Sequence, residues 1–147
     1  MVDRGWLFVV GGSLFVGEQS HRDVKSMSRT NFERLRVYQL SEHLADMIWE
    51  IATGWDRFDR DTVGKQIVRS ADSVGANIAE GTGRYGTQDN KRFGYFARGS
   101  LNETKHWLRR AYKRNLLSDE QIISLKPIID ELSPKLNAYI NSIKSKV

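Results

Sequence analysis

The chain contains no cysteine among its 147 residues, which excludes disulfides, zinc–thiolate sites and thiol nucleophiles and fits a reducing cytoplasm. Only two prolines are present, Pro127 and Pro134, so helix breakers are scarce. No stretch is long and apolar enough to span a bilayer, so no membrane partner is expected. Strand-type alternation is also rare. Apolar residues instead recur at spacings of three and four over most of the length, which favours an all-α domain. What the chain has in excess is positive charge: 23 Lys and Arg against 18 Asp and Glu, a net +5. A balance of that size makes polyanions candidate partners and also serves solubility.

Residues 1–29 are expected to form an N-terminal extension, disordered or weakly structured, of which 1–26 differ in texture from the rest. GWLFVVGGSLFVG is a short apolar, glycine-rich run followed by polar EQSHRDVKS. A secretory leader is one reading, but the run has no net charge ahead of it and no small-x-small cleavage pattern close behind. The favoured reading is an N-terminal extension from an upstream start, with Met27 as an alternative start. If ordered, residues 6–10 and 14–16 would pair as a hairpin across Gly11 and Gly12.

Residues 30–147 read as four amphipathic helices joined by short polar turns, an antiparallel up-and-down four-helix bundle. The first is expected to start at Thr30 with Glu33 completing a capping box. Its core face holds Val37, Leu40, Leu44, Met47, Ile48, Ile51 and Trp55. Leu35, Tyr38, Ala45 and Trp49 widen that face, as either a thick core edge or an oligomer interface. The second helix is expected to be capped by Asp59 or Asp61, to bury Val63, Ile67, Ala71, Val74 and Ile78, and to end at Gly81 and Gly83 in left-handed conformation. The third opens near Thr87 or Asp89 and buries Phe93, Phe96, Ala97, Ser100, Leu101, Thr104, Trp107, Leu108 and Ala111. Ser118 and Gln121 form a capping box for the fourth, in which Pro127 and Pro134 predict kinks or a break near Lys126.

A polar stripe shares the second helix with its apolar face. Gln66, Arg69, Asn77 and Glu80, with Gly81 and with Glu103 of the third helix, read as a structural polar seam. In this reading small residues, among them Ser70, Gly75, Gly99 and Ser100, bring helices two and three close together. A ligand site is the alternative. Basic residues concentrate on the third helix, where Lys91, Arg98, Lys105, Arg109 and Lys113 recur at seven and four on one flank, with Tyr95 and Tyr112 beside them. Such a stripe extends about 33 Å, enough to follow several phosphates while the tyrosines stack on unpaired bases. The alternative is a solvated face whose cations complement the helix dipole.

Enzymatic motifs fail on their context. Glu103 and His106 make one Glu-x-x-His where a bundle di-iron site needs two, and the helical phase turns His106 outward. No metal site, cofactor or catalytic residue is assigned. Gly81-x-Gly83-x-x-Gly86 follows a helix rather than a strand, so it reads as a helix–helix turn and not a dinucleotide fingerprint.

The segments FERLRVYQLSEHL at 32–44, QIVRSADSVGANIAEGTGR at 66–84 and FARGSLNETKHWLRRA at 96–111 carry a resemblance. They resemble the bacterial four-helix-bundle family first noticed as proteins encoded in intervening sequences of large-subunit ribosomal RNA genes. The resemblance covers the chain from residue 32 onward and implies a non-enzymatic homo-oligomer, commonly a pentamer. A more distant similarity is to the accessory protein of diversity-generating retroelements, which implies RNA or DNA, and a protein such as a reverse transcriptase, as partners. Two functions follow as expectations: a nucleic-acid-binding accessory protein, or a protein-interaction scaffold that binds no nucleic acid.

Overall fold

Helical phase settles the architecture. Apolar residues at three- and four-residue spacing can leave water only if the helices carrying them close around a common axis. The computed structural model describes residues 30–144 and contains four long helices: α1 (Arg36–Thr53), α2 (Lys65–Thr82), α3 (Thr87–Lys113) and α4 (Asp119–Ser142). Contacts run α1 to α2, α2 to α3, α3 to α4 and α4 back to α1, which is the closed square of an up-and-down bundle. The hairpin expected at residues 6–10 and 14–16 lies outside the described residues.

Leu44, Ile48, Ile67, Val74, Ile78, Leu101, Leu125, Leu132, Leu136 and Ile140 fill the centre from all four helices. On α3 the inward residues are Gly94, Ala97, Leu101, Thr104, Leu108 and Ala111, a strict alternation of three and four. Phe96 does not belong to that face. It is 49% exposed, because Ala97 takes the inward position. Ala45 also departs from the oligomer-face reading: at 8% exposure it is part of the core, whereas Trp49 stands 50% exposed.

Three helix ends differ from expectation. Thr30 does not open α1. Its backbone N–H and hydroxyl both donate to Glu33 Oε2 at 2.6 Å, which fastens a single 3-10 turn over Phe32–Arg34. Leu35 is then extended, with φ −70° and ψ 124°, so α1 starts at Arg36. The cap ahead of α2 is Asp56, whose carboxylate accepts from the Asp59 N–H at 3.0 Å. Asp59 and Asp61 instead lie inside the coil, in a short helical turn (Arg57–Asp59) and a π-helical turn (Arg60–Gly64) that lead into α2. Gly83 closes α2 at φ −81°, not in the left-handed region.

Gly81 is required for a different reason. A Cβ there would fall 2.7 Å from Asn90 Oδ1 and 3.1 Å from the Asn90 carbonyl oxygen, so the missing side chain lets α3 approach α2. Gly99, expected to serve the same purpose, faces open space. Gly75 serves the other side of α2, where a Cβ would meet Ser41 Oγ at 3.0 Å and the Tyr38 ring at 3.4 Å on α1.

The fourth helix behaves as predicted at its start. Ser118 and Gln121 exchange both bonds of a capping box, at 2.9 and 3.1 Å. The break expected near Lys126 is absent, and α4 runs unbroken past Pro127 and Pro134. Both prolines sit on the exposed face, as do Ile123 and Asp130, whose carbonyls lose their helical donors, so water can take the place of the missing N–H groups.

Candidate nucleic-acid interface

Turning Gly94, Ala97, Leu101 and Leu108 inward fixes where the other α3 side chains go. Tyr95, Arg98, Arg109, Tyr112 and Lys113 are exposed, and Lys91 and Lys105 are partly so. Arg98 lies with its guanidinium 5.0 Å from the Tyr95 ring centroid, a cation–π contact that holds both at the surface. Tyr95 is 44% and Tyr112 47% exposed. Among the described residues, no ion pair engages Lys91, Arg98, Lys105, Arg109 or Lys113. Other cations nearby are matched: Arg92 pairs with Asp89 at 3.5 Å and Arg84 with Glu80 at 2.6 Å.

Toward its C-terminal end the stripe borders a groove of about 280 Å³ between α3 and α4. Lys105, Arg109 and Tyr112 edge it from α3, and Lys126 from α4. The interior is aliphatic: Leu108, Ile122, Leu125 and Ile129. From the sequence, Leu108 reads as a core residue alone. The signal was present in the pairing of Lys105, Arg109 and Tyr112 around Leu108 at helical spacing, but the separation of α3 from α4 cannot be read from either helix.

The polar seam is narrower than its pattern. Asn77 donates from Nδ2 to the Ser73 carbonyl at 2.8 Å and reaches Ser100 Oγ on α3 at 3.5 Å. Gln66, Arg69, Glu80 and Glu103 are exposed, Glu80 holding Arg84 and Glu103 accepting from Trp107 Nε1 at 3.4 Å within its own helix. The bond buried between α2 and α3 is instead Thr104 Oγ1 to Ser70 Oγ at 3.1 Å. Of the oligomer-face residues, Leu35 and Tyr38 pack against the core. Trp49 edges a larger groove of about 590 Å³ that also exposes Arg57, Arg60 and Lys65. There Asp61 sits 3.7 Å from Arg57 and 3.3 Å from Lys65, so one carboxylate is shared between two of the three cations.

Acidic residues gather around Tyr38 on α1 and Asp72 on α2. Burial, followed by the charges of Glu42, Glu33 and Asp46, raises the Tyr38 phenol above its usual pKa. Asp72 is raised by burial and then by Asp46. His106 is exposed, its ring set edge-on to Trp107 at 5.1 Å. No group of three or more metal-ligating side chains occurs among the described residues, and no described helix is long and apolar enough to cross a membrane.

A family model described as 23S rRNA-intervening sequence protein matches residues 33–138. Among solved structures, the chain is similar to a protein of unknown function from the S23 ribosomal protein family of Bacteroides thetaiotaomicron. The identity is 26%, the TM-score 0.63, and the alignment covers 72% of this chain and 99% of the other. No curated protein matches.

Proposed function

The chain belongs to the 23S rRNA-intervening sequence protein family, and from that premise we propose that it is a non-enzymatic, oligomeric accessory protein that binds RNA or DNA through α3. The observation that carries this reading is a row of cations without acidic partners among the described residues, Lys91, Arg98, Lys105, Arg109 and Lys113, flanked by two exposed tyrosines. Unpaired cations attract phosphates and release their counterions, and tyrosine faces accept bases without reading sequence. Assembly into a ring repeats one modest stripe into a polyvalent surface.

The test is binding of RNA and DNA at two salt concentrations. Five phosphate contacts to a single strand predict a loss of about a hundredfold in affinity between ~50 and ~200 mM salt. Reversing Arg98, Lys105 and Arg109 to glutamate is expected to abolish binding while leaving the helical circular-dichroism signal and the oligomer mass intact. An oligomer of verified mass that binds neither polymer at low salt sinks the proposal. The second reading, a scaffold for a protein partner, rests on exposed aromatics away from the stripe, Trp49, Phe58 and Tyr85.

A further inference from the structure

We infer that the groove between α3 and α4 seats an unstacked base of a single-stranded nucleic acid, so that the cation stripe selects single strands over duplex. This rests on the nucleic-acid reading above and adds to it a ligand class. The groove is open to solvent, about 280 Å³, with an interior of Leu108, Ile122, Leu125 and Ile129. An aliphatic surface of this kind offers contact to the flat face of a base but no donor or acceptor to read its edge, so binding tolerates any sequence. Tyr112 stands at its border and is about half exposed, placed to stack on the same base or the next.

Charge complementarity fixes the occupant. Lys105 and Arg109 border the groove one helical turn apart, about 6 Å along the axis, and neither has an acidic partner among the described residues. Lys126, on the α4 side, is held by Asp130 one turn further along α4, so the two α3 cations are the ones available to flanking phosphates. A base inside a duplex is covered on both faces by its neighbours and cannot enter the groove. A base of a single strand can, with its phosphates left on the stripe.

The experiment compares three fluorescently labelled probes of about twelve nucleotides: oligothymidylate, the same backbone carrying abasic sites, and a duplex. Each is titrated against the full chain and against Tyr112→Ala and Ile129→Trp, the second of which fills the groove without changing charge. Oligothymidylate is expected to bind the unmodified protein about tenfold more tightly than the abasic strand. Tyr112→Ala and Ile129→Trp should each erase most of that difference and leave abasic and duplex affinities unchanged. Tyr112 is a surface residue, so its variant keeps the test available if Ile129→Trp fails to fold. Equal affinity for all three probes, lost only on charge reversal at Arg98, Lys105 and Arg109, overturns the base-seating inference and leaves the nucleic-acid reading standing. No salt-dependent binding to any probe overturns both. Binding of an acidic, leucine-rich peptide that Ile129→Trp abolishes, with nucleic-acid affinity unchanged, reassigns the groove to a protein partner and overturns the inference.

Discussion

Helix α3 has two edges built on opposite principles. Against α2 it closes: Gly81 admits Asn90 and Phe93, Thr104 bonds Ser70 in the interior, and Asn77 reaches Ser100. Against α4 it draws in tightly at Gly94, where a Cβ would lie 2.8 Å from Ile140 Cγ1, and then opens into the groove toward its C-terminal end. Small residues bring backbones together, and every polar group they bury needs a partner across the seam. Larger aliphatic side chains hold the backbones apart and leave a gap that cations border. One edge of the helix therefore serves stability, and the other presents a surface.

The sharpest way to break this comparison is to put the same methyl group once into the closed edge and once onto the solvent face of α3, which belongs to neither edge. Gly81→Ala pushes a Cβ into Asn90 and Phe93 and is expected to destabilise the bundle by about 2 kcal/mol in urea unfolding, overpacking outweighing the gain in helix propensity. Gly99→Ala meets nothing within 4 Å and should stabilise by up to about 1 kcal/mol. Equal effects from the two substitutions would mean that the closeness of α2 and α3 does not depend on Gly81.

Periodicity made the bundle legible because it reports which face of a helix leaves water, and Leu44, Val74 and Leu101 are buried where that rule puts them. Periodicity says nothing of the distance between helices. Gly81 and Gly99 look alike in the chain, and only the neighbour's position separates a contact from an empty surface. For the same reason Leu108 and Ile129 were visible as apolar and not as groove walls. Helix ends failed for a local reason: Asp56, Asp59 and Asp61 all suit a cap, and the choice fell to Asp56 because a π turn absorbs the next residues ahead of α2.

A second, smaller effect is expected where α3 reverses into α4. Asn115 has φ 58°, and around it the Leu116 N–H donates to the Ala111 carbonyl at 2.9 Å and the Asn115 N–H to the Tyr112 carbonyl at 3.1 Å. This is a left-handed helix stop made with asparagine in place of glycine. Asn115→Ala puts a residue that tolerates the left-handed region less well than asparagine in that conformation and should cost about 1 kcal/mol, while Asn115→Gly is expected to be neutral or stabilising. Because the turn follows Tyr112 directly, the alanine variant should also weaken any discrimination that depends on the groove, which a titration with abasic and intact strands would register.

The smallest effect belongs to the flank of α2 that faces away from the stripe. The Asp72 carboxyl is raised above its ordinary pKa by burial and by the charge of Asp46. A raised carboxyl opposes folding where it is ionised: its contribution is most favourable below the pKa of the unfolded chain, about 4, and is lost as pH rises through the higher folded value. Asp72→Asn removes that cost, so the variant should be more stable than the parent at neutral pH and lose its advantage as the solution is acidified. Water still reaches the partly buried side chain, and solvent screening holds the gain to within about 0.5 kcal/mol. Thermal melting at pH 7 and at pH 3.5 checks the sign. An advantage that persists undiminished in acid would place its origin in packing rather than in charge, and would remove Asp72 from the acidic residues gathered on α1 and α2.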